Sequence, residues 1–201
     1  MNSEAVSIII PTYNRAKLVP RAVQSALATV SPGDEILVID DGSTDATEEA
    51  LAPYRAQIRY LRIAHGGAAA SRNRGLAEAH CPLVAFLDSD DEWFADKLML
   101  QRTVMHARPD VLFCFSDFAH RDRSGVTHHN YLVNWHHDPR GWEEILGSGR
   151  LFSSLGVLPT DRADFFVHIG NLYASAMMAD YVFTSTLVVR RALAGSTFHF
   201  P

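Results

Sequence analysis

Apolar runs and polar punctuation divide the first hundred residues into alternating stretches of two different periods. Val6 to Ile10 is rich in β-branched residues and stops at Pro11, which predicts a buried strand. Across residues 15–29 the apolar set becomes Leu18, Ala22, Val23, Ala26 and Leu27, a helical spacing that places Pro20 in the first turn. Glu35 to Ile39 is a second strand, closed by Asp40-Asp41-Gly42-Ser43. Residues 45–52 read as a helix with Ser43 or Thr44 as its cap. Ile58 to Ile63 alternates as a third strand near an edge, Gly67 to Ala79 is a small-residue helix, and Leu83 to Leu87 is a fourth strand. Strand–helix units of this length predict a parallel sheet with helices on both faces. Ligands on such sheets sit beyond the carboxyl ends of the strands.

The second half is less regular. Ala95 to Ala107 reads as a helix and Val111 to Phe118 as a strand, with Phe113, Phe115 and Phe118 in the core. Residues 119–139, rich in His, Asn and Asp, form a hairpin or loop. Trp142 to Leu146 and 165–179 read as helices, and Phe183 to Val189 as a strand ending at a surface pair, Arg190-Arg191. The expected organisation is an α/β half over 1–108 and an irregular second half of the same domain over 109–201, incomplete at its C-terminal end.

Composition narrows the function classes. A chain of 201 residues can bury one substantial core, and 47% hydrophobic with 20% charged residues excludes wholesale disorder. A net charge of −5 without a basic block argues against nucleic-acid binding. Cys81 and Cys114 are too few for a disulfide framework and read as reduced thiols of a cytosolic protein. The first apolar run is short and follows Glu4, unlike a signal peptide, and no segment approaches the ~18–20 apolar residues that span a bilayer.

The most informative stretch is Leu83 to Trp93, where five apolar residues run into Asp88-Ser89-Asp90-Asp91. Alternate side chains of an extended segment point the same way, so Asp88 and Asp90 can face one point. Two such carboxylates suit a hard divalent cation that completes its shell with phosphate oxygens. A solvated acidic turn capping the next helix is the plain alternative. Thr12-Tyr13-Asn14-Arg15 and Asp40-Asp41 end the first two strands, and Gly66-Gly67 opens the helix bearing Ser71 to Gly75. His65 faces a ligand here or is an ordinary loop residue. His128-His129 and His136-His137 lack metal-ligand spacing and read as loop residues. Gly147-Ser148-Gly149-Arg150 lacks the lysine of a phosphate loop and reads as a helix end.

Four segments together resemble the family 2 inverting glycosyltransferases with the GT-A fold. They are Ser7 to Arg15, Val38 to Asp45, Ala70 to Leu76 and Phe86 to Trp93, in the family's order over residues 5 to about 100. Thr184 to Arg191 is a weaker match to the strand shortly before the family's catalytic base. The resemblance implies a GT-A sheet, mostly parallel and flanked by helices, with an acceptor-side second half. It implies that Pro11, Thr12, Tyr13, Asp41 and Arg72 hold the nucleotide of a nucleotide-diphosphate sugar, UDP-sugar first, with Asp88 and Ser89 beside them. Asp88 and Asp90 would then hold Mn²⁺ or Mg²⁺, with Asp91 and Trp93 bordering the sugar or acceptor. The acceptor would be a glycan, a lipid-linked sugar or a protein, as in cell-envelope polysaccharide biosynthesis. Such an enzyme would be cytoplasmic, or peripheral at the inner face of the membrane.

Inverting transfer needs a general base. The resemblance puts it some ten or more residues beyond the strand matching 184–190, and nothing from Arg191 to Pro201 is acidic. The base is therefore expected beyond Pro201, in a chain that is truncated and binds nucleotide and metal but turns over poorly. A non-catalytic nucleotide-binding subunit is the alternative. A sugar nucleotidyltransferase is disfavoured because Pro-Thr-Tyr-Asn replaces a Gly-rich basic loop after the first strand. A nicotinamide dehydrogenase is disfavoured because no G-x-G-x-x-G is present there.

Overall fold

The computed structural model of the chain describes residues 4–177, 179–195 and 198–201. Strand β1 (Val6–Thr12) leads through helix α1 (Val19–Leu27) to β2 (Glu35–Asp40). Short helix α2 (Thr47–Ala50), β3 (Arg59–Arg62), α3 (Gly67–Glu78), β4 (Leu83–Phe86) and α4 (Lys97–Ala107) follow. In the second half come β5 (Phe113–Cys114), a hairpin of β6 (His120–Arg121) and β7 (Thr127–His128), α5 (Leu132–His136) and α6 (Trp142–Leu146). A small ladder of β8 (Arg150–Leu151) and β9 (Phe166–Val167), α7 (Tyr173–Ala176), β10 (Val188–Arg190) and α8 (Arg191–Ala194) complete the order.

The main sheet has the order β3-β2-β1-β4-β10-β5. The first four strands are parallel, whereas β10 runs antiparallel between β4 and β5. Alternation along β1 divides the core. Val6, Ile8 and Ile10 pack with Val23 and Ala26 of α1 and with Leu98 and Met105 of α4. Ile9 faces the other way, joining Leu37, Phe86 and the α3 side chain Leu76. Gly75 lets α3 approach the sheet closely, since a Cβ there would lie 2.4 Å from Ile9 Cγ2.

Several expectations change. α2 starts after Ala46 without a side-chain cap, because Ser43 Oγ accepts from the Asn14 N–H instead. The strand expected over 111–118 shrinks to Phe113–Cys114, and the one over 183–189 becomes a 3₁₀ turn, Thr184–Thr186, before β10. The helix expected over 165–179 is β9 plus the single turn α7, and Met178 lies outside the described residues. Arg190 and Arg191 are not a surface pair. β10 is inserted into the sheet, so Arg190 is 8% exposed, paired with Glu4 and donating to the Met105 carbonyl. Arg191 donates to the carbonyls of Ala79 and Cys81.

The last residues of the chain return to α3. Phe200 packs on Phe86, its N–H donates to Asn73 Oδ1, and its carbonyl accepts from Asn73 Nδ2. Pro201 follows it, exposed.

Lys97 opens α4 with its stem partly exposed and its ammonium buried, 3.8 Å above the Trp93 ring and without a hydrogen-bond partner among the described residues. Burial pushes its pKa from 10.5 down to about 7, with Cys114 opposing. Between pH 7 and 10.5 the unfolded chain therefore holds a proton that the folded one lacks, and stability rises with pH across that window. Lys97→Met keeps the stem on Trp93 and removes the buried charge. It should raise stability at pH 6 by about 2 kcal/mol and flatten the slope above pH 7, as read by chemical denaturation across pH.

Candidate functional site

All the parallel strands end on one edge, and the order β2-β1-β4 places residues 12–15, 41–45 and 88–91 side by side. The ends of β2 and β4 lie two strand spacings apart, about 10 Å. Asn14 joins the first two loops from a left-handed conformation, φ 51°, that asparagine tolerates. Its side-chain oxygen accepts from the Thr44 and Asp45 N–H groups, and the Arg15 N–H donates to Thr47 Oγ1. The neighbouring Asp40 is wholly buried, accepting from the Ser43 N–H and the Tyr60 hydroxyl, so it shapes the loop and meets no ligand.

Asp41, 3% exposed, reaches to the start of α3. Its two oxygens accept from the Gly66 and Gly67 N–H groups, each at 2.8 Å, and Oδ2 lies 2.8 Å from His65 Nδ1. The backbone of Gly66, φ −146° and ψ 1°, sets both N–H groups toward the carboxylate, and Gly67 follows at φ +90°, a left-handed conformation that favours glycine. The Asp41 Oδ1 retains a lone pair. His65 also stacks on Tyr13, ring centroids 4.3 Å apart, and Tyr13 is 41% exposed. His65 thus lies against both Asp41 and Tyr13. Thr12 is buried with its hydroxyl unpartnered among the described residues, and Pro11 is a buried residue of β1.

The acidic residues after β4 form a turn, the Asp91 N–H donating to the Asp88 carbonyl at 3.0 Å. Ser185, from the 3₁₀ turn before β10, holds it twice. Its Oγ accepts from the Asp88 N–H and donates to the Asp91 carboxylate. Asp88 pairs with Arg72 of α3 at 2.6 Å, and Asp90 with Arg15 at 3.3 Å. Ser89 is buried between them in sequence. Burial raises the Asp91 pKa, the Ser185 bond opposes the rise, and the charges of Asp88 and Asp90 add to it. The three carboxylates therefore share one negative field.

Hard oxygen donors in such a field suit Mg²⁺ or Mn²⁺. Among the described residues no group of three His, Cys, Asp or Glu side chains is placed to hold a metal ion. An ion held by Asp88 and Asp90 alone would need its other ligands from phosphate and water. His128 pairs with Asp122 in the hairpin, and the side chain of His136 lies outside the described residues.

Trp93 lies beneath the turn. It is 9% exposed, its indole N–H donates to the Ser185 carbonyl, and its backbone N–H donates to Ser25 Oγ. An indole beside the end of a short strand buries more apolar area by turning into the core than by lining a wet cleft. The Ser185 contacts and the Arg15–Asp90 pair escaped sequence reasoning. Ser185 meets Asp91 across 94 residues, a contact that no local pattern announces. Phe183, two residues earlier, stacks on Phe118 and meets Trp135, so an aromatic group borders the turn on its second-half side.

The segment ending at Pro201 brings no carboxylate to the site, since residues 191–201 contain none. What it contributes is the Phe200 ring, over which the Arg72 guanidinium lies.

A family model, Glycosyl transferase family 2, matches residues 7–166. The chain is 38% identical over 126 residues to the putative teichuronic acid biosynthesis glycosyltransferase TuaG of Bacillus subtilis, covering 60% of this chain and 49% of that protein. It is 34% identical over 120 residues to the UDP-Glc:alpha-D-GlcNAc-diphosphoundecaprenol beta-1,3-glucosyltransferase WfgD of Escherichia coli, covering 59% and 47%. The chain thus spans about half the length of these curated relatives. In fold it is similar to S. aureus TarS 1-349, crystallised with UDP, with a TM-score of 0.63 and 20% identity over 98% of this chain and 50% of that one.

Proposed function

The chain belongs to glycosyltransferase family 2, and from that premise we propose that it binds a nucleotide-diphosphate sugar and serves metal-assisted, inverting transfer to an acceptor. The single observation that carries this reading is the row of loops at the ends of β2, β1 and β4, with Tyr13 and Asp41 at one end and Asp88 and Asp90 at the other. An extended nucleoside diphosphate suits a span of about two strand spacings.

In this reading the base stacks on the exposed Tyr13, with His65 backing that ring, and a base N–H reaches the remaining lone pair of Asp41 Oδ1. Pro11 and Thr12 form the floor, while Arg72 and Ser89 flank the ribose and diphosphate. Asp88 and Asp90 hold Mg²⁺ or Mn²⁺, which when bound neutralises charge on the departing diphosphate. Asp91, held by Ser185, borders the sugar and acceptor. The fixed backbone of the turn holds these side chains in place before the donor arrives, so little ordering cost remains at binding. The role of general base is given to no residue up to Pro201.

UDP-sugar is the donor class we favour, as WfgD's name states UDP-Glc. The names of TuaG and WfgD support a cell-envelope polysaccharide role, and WfgD's diphosphoundecaprenol-linked acceptor supports a lipid-linked acceptor reached at the inner face of the membrane. Among the described residues no helix is long and apolar enough to cross a membrane.

Titration calorimetry with UDP, GDP and TDP, each with and without Mn²⁺, tests the reading. One nucleoside diphosphate should bind at least about tenfold tighter with the metal present. Equal affinity with and without metal removes the cation from the proposal, and binding to none of the three rejects the donor site.

A further inference from the structure

The acidic turn carries two arginines of different character. Arg72 and Asp88 form a close pair with side chains 16% and 27% exposed, and the Arg72 guanidinium also lies over the Phe200 ring. Arg15 and Asp90 are about half exposed and 3.3 Å apart, a pair that water screens and that contributes little. The backbone of Arg15 is nonetheless fixed. Its N–H is held by Thr47, its carbonyl accepts from Leu18 and Val19, and the preceding Asn14 donates its N–H to Ser43 Oγ. The side chain therefore reaches from the end of β1 to the turn after the adjacent β4, across the route between Tyr13 and Asp88.

The turn does not depend on Arg15 for its shape. Ser185 holds Asp88 and Asp91, Trp93 is bonded to Ser25 and Ser185, and Arg21 pairs with Glu92. A cation arriving at Asp90 competes directly with the Arg15 guanidinium for that carboxylate. A diphosphate arriving with the cation offers the guanidinium a better partner, because phosphate oxygens accept its paired donors in a bidentate geometry.

We infer that Arg15 is a diphosphate-binding residue held in reserve by Asp90: occupation of Asp90 by the cation releases Arg15 to the donor's phosphates. This deepens the donor-site reading above and rests on it. The two cations then exchange counter-ions, so metal and donor bind with positive coupling through one side chain.

Calorimetry on the 201-residue chain and on Arg15→Gln, with Mn²⁺ alone and then UDP and GDP at saturating Mn²⁺, tests it. Loss of the competing cation should tighten Mn²⁺ binding by about 2- to 5-fold. Loss of the phosphate contact should weaken binding of the recognised nucleoside diphosphate by about 10- to 100-fold. Arg15→Lys should recover part of the second effect, and thermal midpoints should match the parent because the side chain is exposed. Opposite signs in the two titrations carry the inference. Nucleotide affinity unchanged in Arg15→Gln overturns it, as does a parallel loss of metal and nucleotide binding. A parent chain that binds neither Mn²⁺ nor any nucleotide overturns the donor site itself, which separates the two failures.

Discussion

Replacing Asp90 with alanine is expected to lower Mn²⁺-dependent nucleoside diphosphate affinity by about 10- to 100-fold while binding without metal is kept. The difference follows from where Asp90 sits. It is about half exposed, and its ion pair among the described residues is a loose one with Arg15. Its loss therefore removes a cation ligand without disturbing Asp88, which stays bonded to Ser185 and Arg72. Metal-free affinity should even rise slightly, since Arg15 is then available to phosphate without competition. The measurement is a pair of nucleotide titrations, with Mn²⁺ and with chelator. Equal loss in both would show that Asp90 acts on the nucleotide or on the fold rather than through a cation.

The largest expected effect on stability belongs to Arg102→Leu. Arg102 on α4 pairs with Asp34 in the loop before β2, with side chains 6% and 0% exposed. Asp34 also accepts from the N–H groups of Val6 and Ser31, so it ties the starts of β1 and β2 together. Removing the guanidinium leaves a carboxylate buried with only amide partners, at a cost of about 3–5 kcal/mol. In a chain of this length that lowers the thermal midpoint by roughly 10 °C. The double variant Arg102→Leu with Asp34→Asn should recover much of the loss, because the uncompensated charge is gone and the amide oxygen still accepts. A double variant no more stable than the single one would mean that packing by the arginine stem, not charge, carries the effect.

The parallel half of the fold and the outline of its site are legible in the residues themselves. Strands β1, β2 and β4 are continuous apolar runs, the segment of β3 alternates, and α1 carries its apolar set at helical spacing, each signal belonging to its own segment. A polar tripeptide at the end of a buried parallel strand must lie on the rim, which located Tyr13, Asp41, Asp88 and Asp90 from sequence alone.

What the residues could not show is how that rim is held. Asp41 and Asp90 look alike in sequence, yet one is closed onto Gly66, Gly67 and His65 and the other lies open to water. Trp93 turned inward, and Arg190 became a buried tie with the half-buried Arg191 beside it, because β10 enters the sheet antiparallel between β4 and β5. Ser185 acquired its role by the same insertion. Local sequence determined which segments bury which faces, since that preference is a property of each segment's own period. Partners drawn from 92 to 186 residues away were decided only by the packed structure, because closing such loops adds contacts that no short stretch of chain encodes.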